Sequence, residues 1–267
     1  MNYEGAILFL TLFANVDVFL VVFVRVMGFF TVLPVVSGQN MPVMARIGLA
    51  LGIAMLAFTT NAISLPSYHF SIMGFGMLLA SEFMIGLIIG FVVMMMFSLF
   101  HFVGQLVDYQ MGFSMVSVHD PLGQTQAPVT GNLYFLIVCV FFIATGVLNH
   151  IIWIVFESFG IIDIGAAQII DNADLVRVLV EIIVVYFVTG VRIALPIVGT
   201  LIIVDVVLGI LVKAVPQMNV FIVGLPLKVF LGTILVYLTM PLLAPRFWNV
   251  VDNINVFIME AMRRMMP

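Results

Sequence analysis

Charged side chains are scarce in this chain of 267 residues. Asp, Glu, Lys and Arg together make up 8% of the sequence, whereas 64% is hydrophobic. A soluble domain usually carries about 25% charged and about 45–50% apolar residues. So few polar groups cannot cover a globule in water. The composition therefore excludes a freely soluble protein and predicts residence in a membrane or a membrane complex.

Several chemical signatures are also missing. The single cysteine, Cys139, cannot form an internal disulfide. No basic cluster indicates nucleic-acid binding. Zinc, nucleotide and dinucleotide motifs are absent from the sequence, which predicts no metal, no cofactor and no enzymatic activity. The four histidines stand singly near the ends of apolar segments, as expected for interfacial side chains and not for a ligand set: His69, His101, His119 and His150.

Long apolar runs are what the sequence has instead. Spanning a bilayer takes about 20 apolar residues, and most of the runs reach that length. They predict helices over 6–33, 43–63, 71–101, 132–160, 178–212 and 220–244. No basic region precedes the first run, so we expect it to stay as a helix and not to be a cleaved signal peptide. The predicted fold is an all-α integral membrane protein of long, kinked helices and hairpins.

Proline and charge patterns refine this outline. Pro196 should kink or break the fifth helix, because proline removes a backbone donor. A long loop is expected over 102–131. The tail over 252–267 is amphipathic and carries Arg263 and Arg264, so it should lie along an interface or pack on a partner. Lysines and arginines are spread evenly over the connections, so they predict no orientation in the membrane.

Five charges fall inside the apolar runs, where each costs about 2.5–3.5 kcal/mol on insertion if it faces lipid. Asp17 and Arg25 are eight residues apart, which is about 12 Å along a helix axis, so they do not pair locally. We therefore expect partners on other helices, on other chains or in water. Contacts between helices and subunits are one interpretation, and a proton or ion relay is another. The set is Asp17, Arg25, Glu82, Arg192 and Asp205.

Two pairs of glycines have the G-x-x-x-G spacing that allows helices to approach closely. Gly86 and Gly90 form one pair, and Gly48 and Gly52 form the other. Such pairs are common in glycine-rich apolar helices, so the spacing alone is a weak indication of packing.

Three stretches resemble one family. They run over 25–54, over 104–137, which includes GQLVDYQMGFSMVSVHDP, and over 196–232, which includes PQMNVFIVGLPLK. In content, order and spacing they are similar to the FliR family of flagellar biosynthesis proteins, whose SctT relatives serve virulence secretion. The resemblance covers essentially the whole chain.

The resemblance implies a structural and gating subunit of the flagellar type III export channel, in the bacterial inner membrane at the flagellar basal body. Residues 1–190 would be a FliP-like helical part with a plug loop at about 105–127. Residues 191–267 would be a FliQ-like hairpin and an amphipathic tail. Several copies of FliP and FliQ would complete a helical gate, FlhB and FlhA would join it, and unfolded exported proteins would pass through.

The plug loop has a composition that suits a seal. Such a seal has to exclude ions and still deform, and methionine is apolar and flexible while phenylalanine adds bulk. The resemblance points to this same segment as the plug. The predicted plug residues are Met111, Gly112, Phe113, Ser114, Met115 and Val116. Gln110 begins the loop and Asp120 with Pro121 ends it, since the residue before a proline is disfavoured in a helix. A re-entrant loop that only packs on its own helices is the alternative.

The last hairpin would turn at the cytoplasmic entrance of the gate, by the same resemblance. Its turn would hold Lys213, Gln217, Asn219 and Lys228, with Pro216 and Pro226 breaking the helices on either side. An ordinary solvated turn is the alternative there.

A different class of function stays open on the residues alone. A stand-alone secondary transporter or ion channel would use Asp17, Glu82 and Asp205, and the helix interrupted by Pro196, to build an ion site at the membrane midplane. No internal repeat is visible to support it.

Overall fold

The structure is a computed structural model, and it describes residues 16–37, 41–60, 72–113, 128–169, 172–215, 217 and 219–266. Within those ranges the chain is helical, with turns and short extended connections between the helices. The helices are α1 (Val16–Val32), α2 (Pro34–Ser37), α3 (Val43–Thr60), α4 (Ile72–Met111), α5 (Val129–Ala144), α6 (Val147–Ile161), α7 (Ala173–Ala214), α8 (Val220–Thr239) and α9 (Leu243–Met265). A short 3₁₀ turn, Met240–Leu242, separates α8 from α9.

In the part of the chain that the structure describes, three stretches of helix are long and apolar enough to cross a membrane. They are Ile72–Met111, Ala173–Ala214 and Ile222–Met265, and the pair formed by α5 and α6 would be a fourth if it acts as one interrupted span. The most apolar window of α4 is 61% buried within the chain, against 17% for the window of α7. The apolar surface of α7 therefore has to be covered by lipid or by other proteins.

Two of the expected boundaries were wrong, and one helix that was expected to kink or break is unbroken. α4 continues to Met111, so the long loop begins there and not at residue 102. The single helix expected over 132–160 is two helices, because Gly146 has a φ of 74° that ends helical geometry. Pro196 does not break α7, which is helical from Ala173 to Ala214.

The chain divides into two compact units that are interleaved along the sequence. The first consists of Met1–Met94, Gly146–Ile182 and Ile254–Pro267, and the second of Met95–Thr145 and Ile183–Asn253. These units reflect packing in space, whereas the boundary expected at 190 and 191 concerns likeness to two other proteins. That boundary therefore stays a prediction.

In the first unit, α1 crosses α4 at glycines. A Cβ on Gly86 would overlap the carbonyl oxygen of Arg25, and one on Gly90 would lie 2.8 Å from the carbonyl oxygen of Phe29. Backbones approach this closely only where side chains are missing. A Cβ added to Gly48 or Gly52 of α3 would meet nothing within 4 Å beyond its own helix in the described part of the chain, so this second pair makes no such contact there.

The second unit has an aromatic core. The rings of Phe97 and Phe142 are 5.1 Å apart in an edge-to-face arrangement, and Phe141 lies 5.5 Å from Phe247 of α9. Such pairs stabilise a core by about 0.5–1.5 kcal/mol beyond their buried area. They hold α4, α5 and the start of α9 together.

The amphipathic tail packs within the chain. Its apolar residues recur at helical spacing and are buried: Ile254, Ile258, Ala261, Met262 and Met265. At its end, the amide of Gln168 donates to the carbonyl of Met265 at 2.8 Å. These residues are buried within the chain, whereas Val256 and Met266 of the same segment are exposed.

Candidate functional site

α4 and α5 meet in the second unit, on either side of residues 114–127, which lie outside the described part of the chain. Gly104 of α4 meets Gly131 of α5 so closely that a Cβ on Gly104 would overlap the backbone of Gly131. Two facing glycines let the helices cross in direct backbone contact. We call Gly104, Asp108, Thr130 and Gly131 the loop neck.

A buried carboxylate closes the loop neck. Asp108 is 5% exposed, and its side chain accepts hydrogen bonds from the amide of Thr130 at 2.9 and 3.1 Å and from that of Gly131 at 3.4 Å. These amides open α5 and have no partner inside their helix. Pro128, at the N-cap position of α5, makes no side-chain cap. A residue of α4 therefore caps α5 from outside, with its negative charge at the positive end of the helix dipole.

The chain turns out of α4 through a glycine. Gly112 has a φ of 89°, and its amide donates to the carbonyl of Tyr109 at 3.1 Å. The amide of Phe113 donates to the carbonyl of Asp108, also at 3.1 Å. These two bonds form a Schellman motif, the common helix ending that needs a left-handed residue. Gly112 therefore redirects the chain at the end of α4.

Met111 lies in a notch of the last hairpin. Its side chain is 1% exposed, and a Cβ on Gly232 of α8 would lie 2.5 Å from Met111 Cε and 2.6 Å from its Cγ. A Cβ on Gly112 would lie 2.7 Å from Leu225 of the same helix. In this position Met111 is a buried contact with α8, whereas Phe113 is partly exposed at the start of the loop.

A polar cluster accompanies the Met111 contact. The Gln110 amide donates to Asp205 Oδ2 at 2.7 Å, and Lys228 Nζ lies 2.8 Å from Asp205 Oδ1 and 2.9 Å from Oδ2. Asp205 belongs to α7 and Lys228 to α8, so the carboxylate joins both arms of the hairpin to the end of α4. We call Gln110, Asp205, Lys228 and the Met111–Gly232 contact the fastening site.

Half of the six predicted plug residues, and both residues predicted to end the loop, lie outside the described residues. This applies to Ser114, Met115 and Val116, and to Asp120 and Pro121 at its end. Met111, Gly112 and Phe113 are described, and they lead into that segment from the loop neck.

The predicted entrance turn is shorter than expected. α7 ends at Ala214 and α8 begins at Val220, so the turn covers 215–219 and Gln217 and Asn219 lie in it, exposed. Lys213 is exposed in the last turn of α7. Lys228 lies inside α8, beyond the turn, and binds Asp205. Its place at the cytoplasmic entrance stays a prediction. Pro226 also lies inside α8 and does not end it.

The five charges of the apolar runs have different surroundings. Arg25 and Glu82 form a buried ion pair of 2.6 Å within the chain, and Asp205 binds Lys228. Asp17 is exposed and accepts a hydrogen bond from the amide of Val18 at 2.9 Å. Arg192 is exposed on α7 without an ion pair to any residue that the structure describes. Contacts with other subunits stay a prediction for this set.

The sequence assigned no role to two polar side chains that the structure draws attention to. Asp108 belongs to one of the family-like stretches, but no role was predicted for it. Because α5 starts at Pro128 without a side-chain cap of its own, its first amides need an acceptor from elsewhere in the chain. Glu157 was not considered, yet it stands in apolar α6 with a buried carboxylate oxygen that has no partner among the described residues. Within those same residues, no group of three His, Cys, Asp or Glu side chains could hold a metal ion.

These features define an all-α membrane protein in which two helices, α4 and α5, cross at a pair of glycines beside a buried carboxylate cap. The sequence model of one family, described as "Bacterial export proteins, family 1", matches residues 16–254. The chain therefore belongs to this family of bacterial export proteins.

Characterised relatives cover most of the chain. The flagellar biosynthetic protein FliR of Bacillus subtilis (strain 168) is 29% identical over 254 residues, which are 93% of this chain and 94% of that protein. The protein of the same name from Escherichia coli (strain K12) is 27% identical over 223 residues, 83% of each chain. The surface presentation of antigens protein SpaR of Shigella flexneri is 25% identical over 230 residues, covering 85% of this chain and 88% of that protein.

Proposed function

We propose that this chain is a structural and gating subunit of the flagellar type III protein export channel in the bacterial inner membrane, at the base of the flagellum. It completes a helical gate with several copies of FliP and FliQ, next to FlhB and FlhA, and unfolded proteins pass through as transient substrates. It catalyses no reaction. The names of its relatives in Bacillus subtilis and Escherichia coli support the flagellar assignment.

The plug is the functional part of the proposal. Residues 111–116, MGFSMV, form an apolar segment that seals the idle channel against ions and yields to an exported chain. The observation that carries this role is the Asp108 cap at the loop neck, which holds the two ends of the loop together at 2.9 Å between Asp108 and the Thr130 amide. A loop with fixed ends can be displaced and can return to one place, as a reusable seal must.

The residues of the segment have different roles in this proposal, according to their burial. Met111 is buried against α8 and anchors the plug, and Gly112 redirects the chain. Phe113 and, beyond it, Ser114, Met115 and Val116 form the sealing part. A dry, apolar constriction excludes ions because they would lose their hydration there.

The stand-alone transporter has less support. It would need Asp17, Glu82 and Asp205 to be available for an ion. Glu82 instead binds Arg25 and the Gly165 amide, and Asp205 binds Lys228 and Gln110. Both carboxylates are therefore already engaged with groups of the chain itself.

Deleting Phe113–Val116 tests the proposal. The variant should still co-purify with FliP and FliQ, because the loop neck and the fastening site are untouched, but cells should leak ions through idle channels. A matched variant replaces the same four residues with Gly-Ser-Gly-Ser, which keeps the loop length and removes the apolar side chains. If both variants assemble and conduct no more ions than wild type, the segment is not a plug.

A further inference from the structure

Two carboxylates of the first unit have opposite surroundings. Glu82 is paired with Arg25 at 2.6 Å and also accepts from the Gly165 amide. Glu157 of α6 has a carboxylate oxygen that is shielded from solvent and has no hydrogen-bond partner among the described residues. A buried acceptor without a donor loses its hydration without compensation, and the penalty is greatest for a charged group. Glu157 therefore calls for a donor that the described chain does not supply.

Glu157 lines an open pocket of about 410 Å³ on the surface of α6. The other described residues of its lining are Trp153, Phe156, Gly160 and Ile161. One water molecule needs only about 15 Å³ of such space, so the pocket has room for an organic group. Gly160 keeps one side open, because a Cβ there would meet nothing within 4 Å beyond its own helix in the part that the structure describes.

The aromatic wall of the pocket is held in place from a second helix. The Trp153 ring is 56% exposed and stacks on the His150 ring, with 6.3 Å between the centroids and 16° between the planes. His150 Nε2 in turn lies 3.1 Å from Oδ1 of Asn255 on α9. A ring that is already positioned loses little side-chain entropy when a ligand packs against it. The wall is thus preformed for binding.

The chemistry of this lining selects an organic cation. Tryptophan and phenylalanine faces attract ammonium and guanidinium groups, and a carboxylate accepts charge-assisted hydrogen bonds from both. Calcium and magnesium ions need several oxygen ligands, whereas the lining supplies a single carboxylate. A zwitterionic lipid headgroup would bring a phosphate along with its ammonium, and the described lining holds no lysine or arginine to receive it. A basic protein side chain brings the cation alone.

We propose that Glu157, with Trp153 and Phe156, forms a binding site for a lysine or arginine side chain of a neighbouring subunit. This rests on the proposed function, because it needs an assembly around the chain. The incoming cation gives the buried oxygen of Glu157 its donor. The carboxylate in turn neutralises a charge that the neighbour would otherwise carry unpaired in an apolar interface.

Crosslinking identifies what fills the pocket in the assembled complex. Ile161→p-benzoylphenylalanine places a photoreactive group at the edge of the pocket and leaves Glu157 and both aromatic residues intact. After irradiation in membranes, mass spectrometry should find an adduct with a peptide of another subunit that contains a lysine or arginine. An adduct with phospholipid only, or with a peptide that lacks both residues, would overturn the proposal.

The sign of a stability change gives an independent test. If a partner's cation binds Glu157, Glu157→Gln leaves that cation without its counter-ion and should lower the thermal unfolding temperature of the purified complex. If no cation is present, the same substitution removes an unpaired charge and should raise that temperature. Asp163→Asn, at an exposed carboxylate just beyond α6, is the matched control and should leave it unchanged. An unchanged or raised unfolding temperature for Glu157→Gln would overturn the proposal.

Filling the pocket tests its shape separately from its charge. Gly160→Leu adds a side chain where a Cβ meets nothing within 4 Å, and Gly48→Leu on α3 makes the same change at a second open glycine. In the crosslinking variant, Gly160→Leu should reduce the subunit adduct several-fold, whereas Gly48→Leu should not. An undiminished adduct in an assembled Gly160→Leu complex would contradict the pocket as the place of contact.

The two proposals can fail separately. If the wild-type chain does not co-purify with FliP and FliQ, the proposed function is wrong. If it co-purifies with them, but Ile161 crosslinks to lipid alone or Glu157→Gln raises the unfolding temperature, the assembly stands and the cation site is wrong. Where a basic residue is found by crosslinking, its replacement by glutamate should restore the partner yield of a Glu157→Lys chain, and failure of this rescue would contradict a direct pair.

Discussion

The Nε atom of Arg25 lies 2.6 Å from Oε2 of Glu82, and both side chains are completely buried. The rest of the guanidinium donates to Ser158 and to the carbonyl of Ile162, at 2.9 and 3.2 Å. The other carboxylate oxygen accepts from the Gly165 amide at 3.1 Å. One ion pair thus ties α1 and α4 to the end of α6 and the turn that follows it.

Removing one partner of this pair should destabilise the first unit strongly. Arg25→Met leaves the Glu82 charge buried without its counter-ion, and such losses cost about 3–5 kcal/mol. Replacing both, with Arg25→Met and Glu82→Leu, should cost less than Arg25→Met alone, because no charge is stranded. Thermal unfolding of the detergent-purified complex would compare them, and a double variant that is worse than the single would contradict this account.

The crossing of α1 and α4 should tolerate no side chain at Gly86. Gly86→Ala directs a Cβ into the Arg25 carbonyl, which is backbone and cannot rotate away. Gly48→Ala, from the other G-x-x-x-G pair, meets nothing within 4 Å among the described residues and should be neutral or slightly stabilising, since Ala favours a helix by about 1 kcal/mol over Gly. Yields of folded protein for the two variants would test this contrast, and equal yields would argue against a tight crossing.

Hydropathy along the sequence was enough to place most helices, because an apolar run of helical length has few other stable structures. It could not place the break at Gly146, since a glycine is compatible with a helix and only its φ of 74° reveals the break. It also ended α4 too early. The polar residues between His101 and Gln110 led to the prediction of a loop, although Val103 and Val107 lie on one buried face of the helix.

The sequence could not identify ion-pair partners that are distant along the chain. Arg25 and Glu82 are separated by 57 positions, and Asp205 and Lys228 by 23. Local spacing correctly excluded a pair between Asp17 and Arg25, but one sequence carries no signal that selects the true partner. The family resemblance predicted which segment is the plug. Within that segment, the structure shows that Met111 is buried against Gly232 and that Phe113 is partly exposed.

The C-terminal end of α9 should depend on Asn172. Its side-chain amide donates to the carbonyls of Arg264 and Gln168 at 2.6 and 2.8 Å, and its oxygen accepts from the Leu175 amide at 2.9 Å at the start of α7. Asn172→Ala loses all three bonds and should expose the last turn of α9 to carboxypeptidase. Mass spectrometry of the digested complex would report the trimming, and Asn253→Ala, in the exposed part of α9, is the control.

Asp108→Ala should loosen the loop neck without unfolding the protein. The substitution leaves the amides of Thr130 and Gly131 without their acceptor, and losing a helix cap costs about 0.5–2 kcal/mol. Amide hydrogen exchange should therefore accelerate over the first turn of α5 and stay unchanged at the start of α7, which Asn172 caps independently. Tyr109→Ala, at an exposed neighbouring position, is the control for general effects on the end of α4.

Asp108→Asn sharpens the same experiment. It retains one acceptor oxygen of similar reach but removes the negative charge at the positive end of the α5 dipole. If hydrogen bonding dominates the cap, exchange at Thr130 should resemble that of wild type. If the charge dominates, exchange should approach that of Asp108→Ala. Protection of the α5 start that is identical in wild type, Asp108→Asn and Asp108→Ala would mean that the Gly104–Gly131 crossing alone holds the neck, and that the carboxylate is dispensable for keeping the ends of the loop together.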